Sequence, residues 1–182
     1  KACPDCQARM KKEKLKTEEE LQSYFIKRME SFLVSRGKNL IGWDEILEGG
    51  LAPEATVMSW RGMNGGVEAA RQNHDVIMTP EDATYFNHYQ GDPELEPKAW
   101  GGFTPLDEVY AFDPVSDALT SEEAKHVIGG QGCLWSEFVE TPDMIEYMVL
   151  PRIAALAEVV WTPRENRDFE SFKTRMARLY RR

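Results

Sequence analysis

Cysteine is scarce in this chain: three residues in 182. Cys3 and Cys6 form one CPDC pair, and no second Cys-x-x-Cys or His pair stands near to complete a zinc site. His74, His88 and His126 are widely scattered. Two free or disulfide-linked thiols therefore outweigh a structural zinc, and neither a metal nor a cofactor is expected. Cys133, inside an apolar run, reads as a small buried apolar residue. Basic residues are also in deficit, 22 Lys and Arg against 31 Asp and Glu for a net charge of −9. Neutralising phosphates needs clustered Lys and Arg, so a nucleic-acid or anionic-membrane surface is excluded. No apolar run reaches the roughly 18 residues of a membrane span, and neither a signal peptide nor a lipidation box is visible. Because the chain opens at Lys1 rather than at methionine, a processed or excised piece of a longer protein is expected.

What is present is globular: 42% hydrophobic and 10% aromatic residues, sufficient for one compact unit with a sizeable core. After a lysine-rich start, Thr17-Glu18-Glu19-Glu20 is a capping box with Thr17 at N-cap and Glu20 at N3. The helix that follows carries an apolar stripe of Leu21, Tyr24, Phe25, Phe32 and Leu33, flanked by Ile26 and Met29, with its charged residues on a solvated face and Gly37 at its end.

Three short apolar strands come next, each leading into something aromatic and polar. Residues 39–45 break into a loop after Trp43. Residues 55–60 end in Trp60, followed by glycines and a helix over 67–72. Residues 75–80 lead to Tyr85, Asn87 and His88. A proline-rich excursion over about 90–119, with one helical turn at 106–110, reads as an irregular lid or active-site segment.

The fourth strand is the stretch the rest is organised around, His126–Glu137, with glycines at 129, 130 and 132 allowing close backbone packing. Alternate strand residues share a face, so Trp135 and Glu137 point the same way. An indole face beside a carboxylate suits a pyranose, which offers an apolar C–H face and a rim of hydroxyls. A helix then starts at Thr141-Pro142, with Pro at N1 and a kink expected at Pro151, and a last amphipathic helix spans 168–180. Strand, loop and helix repeated four times is a parallel α/β pattern. Four units are half of an eight-unit barrel, whose functional groups come from strand C-terminal ends. A half-barrel leaves two edge strands unpaired and an inner face open.

Trp43 in LIGWDEI, Trp60 in VMSWRG, Tyr85 in TYFNHYQ, and Trp135 with Glu137 in GGQGCLWSE, in that order, resemble the second half of the family 20 glycoside hydrolases, the β-N-acetylhexosaminidases. The segment MVLPRIAALAEVVWTP is similar to the last barrel helix of that family. The resemblance covers nearly the whole chain, 1–182. It implies an α/β fold, a partial (β/α)8 TIM barrel of about strands five to eight with their helices. It implies cleavage of terminal, non-reducing N-acetylglucosamine or N-acetylgalactosamine from glycans with retention, the sugar's own 2-acetamido oxygen serving as nucleophile through an oxazolinium intermediate. Under that resemblance Tyr85 is catalytic, hydrogen-bonding the acetamido oxygen. Trp43, Trp60 and Trp135 wall the sugar, Glu137 takes the 4- and 6-hydroxyls, and Asn87 contacts the substrate.

Two departures stand out. The family's His-x-Gly-Gly-Asp-Glu motif, which carries the general acid and its Asp partner, is absent. Asp44-Glu45 does not replace it: adjacent residues on an extended segment face opposite ways, so the pair is read as loop-structuring. Asn87 stands where the family usually has Asp. The expectation is a chain that supplies the aromatic pocket, lacks the acid pair and is inactive alone. Its expected partners are the missing N-terminal half of the barrel, glycans ending in N-acetylhexosamine, or a second copy paired through the open strand edges. By analogy the parent acts in the periplasm or extracellular space. The alternative reading is a non-catalytic carbohydrate-binding module.

Overall fold

The computed structural model describes residues 1–179; Tyr180, the expected end of the last helix, lies outside them. Where the sequence leads one to expect one compact unit, the internal contacts cluster into two. The first holds Lys1–Ile77 with Asp117–Ile128, the second Met78–Ser116 with the chain from Gly129 on.

In the first unit, helix α1 (Pro4–Glu13) leads to α2 (Glu18–Val34). Thr17 caps α2, its side chain accepting the Glu20 N–H at 3.2 Å. Glu20 reaches back one residue further than a simple capping box, accepting the Lys16 N–H at 2.6 Å. The face that α2 buries differs from the expected one. Its buried residues are Ser23 and Glu30, while Phe25 and Phe32 are 57% and 55% exposed. The cause is the loop between the first two strands, whose backbone needs partners. Ser23 donates to the Gly50 carbonyl, Glu30 accepts the Glu54 N–H at 2.6 Å, and Gln22 donates to the Glu45 carbonyl at 2.8 Å. Buried backbone groups demand such partners, so Glu30 is inside while Phe25 and Phe32 are outside and Leu21, Tyr24 and Leu33 are only half-buried.

Strands β1 (Ile41–Trp43), β2 (Thr56–Ser59), β3 (Val76–Met78) and β4 (Val127–Gly130) form one parallel sheet in sequential order. All four begin in the first unit. Helix α3 (Asn64–Arg71) joins β2 to β3. Ile41 pairs with Thr56 and Trp43 with Met58, so these four share a face. On the opposite face Val57 and Ser59 are completely buried, and the Ser59 hydroxyl accepts the Gly66 N–H of α3 at 2.8 Å. One face is thus covered by helix, while on the other Thr56, Met58 and Trp43 are only half-buried and Ile41 is 53% exposed. At the other edge Ile128 is 58% exposed.

The second unit contains α4 (Glu81–Thr84), α5 (Leu106–Ala111), α6 (Pro142–Val149), α7 (Arg152–Trp161) and α8 (Phe169–Leu179). The helix expected to kink at Pro151 is two helices, α6 ending at Val149 and α7 starting at Arg152. Thr141 caps α6 by accepting the Met144 N–H at 3.2 Å, with Pro142 in its first turn. An aromatic cluster ties α5 to α8: Tyr110 lies 5.0 and 5.1 Å from the rings of Phe169 and Phe172. The Tyr110 hydroxyl donates to Glu158 at 2.7 Å and accepts the Asp168 N–H at 2.8 Å.

Candidate functional site

In the first unit Trp43 closes β1 and Trp60 lies one residue past β2. The turn that follows each is held by the other's neighbourhood. Asp44 is buried and collects the chain leaving β2: its Oδ2 accepts the N–H groups of Trp60 and Arg61, both at 3.1 Å, and its Oδ1 accepts Arg61 Nε at 2.5 Å. Arg61 also donates to Glu48 at 2.8 Å. These carboxylates raise the Arg61 guanidinium above its ordinary value, Glu48 first and Asp44 next. Glu45 accepts the Trp60 indole N–H through both carboxylate oxygens, at 3.1 and 3.0 Å. Asp44-Glu45 therefore act on the loop and on the Trp60 ring. Beside them lies a hollow of about 410 Å³ lined by Asp44, Leu47, Glu48, Arg61, Asn64, Gly65 and Glu68. It has three carboxylates, one guanidinium and no aromatic ring, so it lacks the surface on which a sugar stacks.

In the second unit the chain after β3 runs through α4 into Tyr85, Phe86, Asn87 and His88, all buried. Here the sequence reading needs correction. β4 ends at Gly130, so Trp135 and Glu137 lie beyond it and no strand alternation places them on one face. What continues is a single parallel bridge between Tyr85 and Cys133. The Phe86 N–H donates to the Cys133 carbonyl at 2.7 Å and the Cys133 N–H to the Thr84 carbonyl at 2.8 Å. The bridge brings the Tyr85 ring edge-on to Trp135, centroids 6.3 Å apart at 67°. Trp135 is 42% exposed, so an indole remains open to solvent beside a buried phenol; Glu137, two residues on, is exposed. His88 meets Tyr85 at 5.8 Å and its Nδ1 pairs with the Thr104 hydroxyl at 3.1 Å. Burial is the main reason its imidazole lies below the usual value, with Arg152 adding to it. Asn87 is 4% exposed, and its Oδ1 has no hydrogen-bond partner. A buried amide oxygen left bare costs free energy, and any hydroxyl or N–H donor reaching it would offset that cost.

Sequence reasoning missed the residue that holds this segment. Arg152 is fully buried and donates to the carbonyls of His88 at 3.1 Å and Thr104 at 2.9 Å, of Phe86 at 2.6 Å, and of Met148. Its guanidinium lies over the Phe86 ring at 5.2 Å. Burial pulls its pKa down to about 10. The signal was available: Arg152 is the one charge in the run Met148–Ala157. Among the described residues no group of three or more His, Cys, Asp or Glu could hold a metal ion, and no helix is long and apolar enough to cross a membrane.

The model of glycosyl hydrolase family 20, catalytic domain, matches residues 1–164. The chain belongs to that family. It is 54% identical over 177 residues to a β-hexosaminidase of Porphyromonas gingivalis, covering 97% of this chain and 23% of that protein. It is 36% identical over 157 residues to a β-hexosaminidase of Vibrio furnissii, covering 85% and 26%. Among solved family 20 structures, the exo-β-N-acetylglucosaminidase of Vibrio harveyi in complex with N-acetylglucosamine matches with a TM-score of 0.84 at 29% identity, over 96% of this chain and 28% of that one. The Flavobacterium johnsoniae chitobiase matches at 0.81 and 31% identity, over 97% and 26%. The chain thus spans about a quarter of the length of these relatives. The solved family 20 relatives are TIM-barrel enzymes, and the four-stranded parallel sheet is part of such a barrel.

Proposed function

We propose that this chain is the sugar-holding half of a retaining β-N-acetylhexosaminidase barrel, acting on terminal N-acetylglucosamine or N-acetylgalactosamine. The observation that carries the reading is the second-unit cluster: a buried phenol edge-on to a half-exposed indole, with a bare buried amide oxygen on the same segment. Substrate-assisted hydrolysis asks for that chemistry. The 2-acetamido oxygen attacks the anomeric carbon, and a donor must hold it there as charge develops. Tyr85 is that donor, Trp135 covers the sugar face, Glu137 accepts from the 4- and 6-hydroxyls and Asn87 from a further hydroxyl. Trp43 and Trp60 supply apolar walls that keep water from the acetamido group. The sequence holds no Gly-Gly-Asp-Glu, so the general acid comes from another part of the barrel. The open β1 and β4 edges and the aromatic face of α2 are where that part seats, or where a second copy imitates it.

The test is binding and turnover on this chain with and without the barrel segment carrying the acid. An N-acetylglucosamine thiazoline mimics the cyclised intermediate. Tight binding and hydrolysis of 4-nitrophenyl N-acetylglucosaminide that appear only together with the added segment support the proposal. Wild-type-like turnover by the chain alone overturns it, and ordinary sugar binding without reaction in either form identifies a binding module.

A further inference from the structure

The CPDC pair has no part in the glycosidase reading, and its geometry gives it a chemistry of its own. Cys3 is the N-cap of α1 and Cys6 lies one helical turn on, with Pro4 between them at the first helical position. Both are free and exposed. Cα atoms three residues apart in a helix are separated by about 5 Å, inside the roughly 4.4–6.8 Å that a disulfide spans between Cα atoms. We propose that Cys3 and Cys6 form a reversible dithiol–disulfide pair, a thiol-exchange site whose partner is a low-molecular-weight disulfide such as oxidised glutathione.

The two sulfurs are not equivalent. Cys3 is held below the ordinary thiol value, first by the Cys6 backbone N–H, then by the Cys6 side chain and the Asp5 backbone. Cys6 is pushed up, first by its hydrogen bond to Cys3. The thiolate is the nucleophile in exchange, so Cys3 attacks and Cys6 resolves. In the first step the Cys3 thiolate forms a bond to one sulfur of the partner disulfide, whose other sulfur leaves as a thiolate. In the second, Cys6 loses its proton and attacks the Cys3 sulfur of the mixed disulfide, releasing the second partner thiol. Two protein thiols are oxidised and one partner disulfide is reduced to two thiols.

A metal reading of the same pair lacks further ligands, since no group of three or more suitable side chains exists among the described residues. Cys133 is an internal control: it is buried, and burial pushes its thiol up. This proposal stands apart from the glycosidase reading, and its test does not involve activity. The folded chain is equilibrated across glutathione buffers of rising oxidised fraction, quenched with N-ethylmaleimide, digested and weighed. The expected result is a peptide containing Cys3 and Cys6 that is two hydrogens lighter and unlabelled, in a monomeric protein, with Cys133 labelled only after unfolding. Cys6→Ser leaves a glutathione adduct trapped on Cys3. In Cys3→Ser, capture at Cys6 is about tenfold slower or less. Thiols that stay alkylatable throughout the oxidised range overturn the proposal, as does a disulfide or a zinc ion joining two copies. Circular dichroism on both variants separates lost exchange from lost folding.

Discussion

The indole N–H of Trp60 is held by both carboxylate oxygens of Glu45, so the aspect of one expected sugar wall is set by an acid on the turn after Trp43. Glu45→Ala frees the ring, whereas Glu45→Gln keeps an acceptor. A hydrogen bond to a charged group contributes about 1.5–3 kcal/mol when desolvated, and here the pair is only half-buried. Removing it is expected to cost about 1 kcal/mol, roughly fivefold in thiazoline affinity for the completed barrel. Glu45→Gln restores most of that. Calorimetry reads the affinities and tryptophan fluorescence the ring's environment; equal affinity for Glu45→Ala and the parent removes Trp60 from the site.

Arg152 carries a structural prediction. Arg152→Met keeps the apolar stem and leaves the carbonyls of Phe86, His88, Thr104 and Met148 without their donor. Unmet buried groups cost about 1–3 kcal/mol each before relaxation. The variant is expected to lose at least about 3 kcal/mol of stability, a size confined to a few named mechanisms. Urea unfolding measures it, and a loss below about 1 kcal/mol means that water replaces the guanidinium.

His88 makes stability depend on pH. Burial depresses its folded value below 6.5, so between the folded and unfolded values the unfolded chain binds more protons. Stability is then complete above about pH 6.5 and declines as pH falls through the window beneath it. Thermal melts at pH 7.5, 6.0 and 5.0 should show the decline, and His88→Gln should flatten it in that window. An unchanged slope assigns the decline to other groups.

These residues also show what the sequence could and could not announce. Local rules worked where one residue acts on its own neighbourhood. Thr17 and Thr141 cap helices as their spacing demands, and each expected strand exists, because capping and short apolar runs are local properties. Rules failed where tertiary partners decide. Period alone predicts the α2 stripe, yet backbone groups of a distant loop pull Ser23 and Glu30 inward. The alternation behind Trp135 and Glu137 assumed a strand beyond Gly130, but there the chain continues only as one bridge to Tyr85. The adjacency of Trp135 to the Tyr85 phenol comes from pairing across 48 residues, which no short window of sequence contains.

Gly132 tests that pairing. A Cβ placed there meets Phe86 Cε2 at 2.5 Å and Leu156 Cδ2 at 3.1 Å, and Phe86 is itself pinned by its N–H to Cys133 and by the guanidinium over its ring. Overpacking of a well-filled core typically costs about 1–3 kcal/mol. Gly132→Ala is expected to destabilise by that amount and to shift the Tyr85–Trp135 contact, whereas Gly62→Ala, with open space around its Cβ, acts only through its positive φ. Near-ultraviolet circular dichroism follows the aromatic contact while denaturant melts follow stability; a neutral Gly132→Ala means the segment is loosely packed.

Tyr85 makes the sharpest demand on the proposed chemistry. It is buried beneath the Trp135 ring, and Tyr85→Phe preserves that ring contact while deleting the donor. If the hydroxyl steadies the acetamido oxygen only as it attacks, its loss appears in the rate and hardly in ground-state binding. Removing one such donor typically costs about 10²–10³ in kcat. In the barrel completed by its acid segment, Tyr85→Phe is expected to lower kcat by about that factor, with KM within roughly threefold of the parent. A large rise in KM with kcat unchanged would instead mark Tyr85 as a binding group. Full activity would return it to the role of a core residue and detach the aromatic cluster from the reaction.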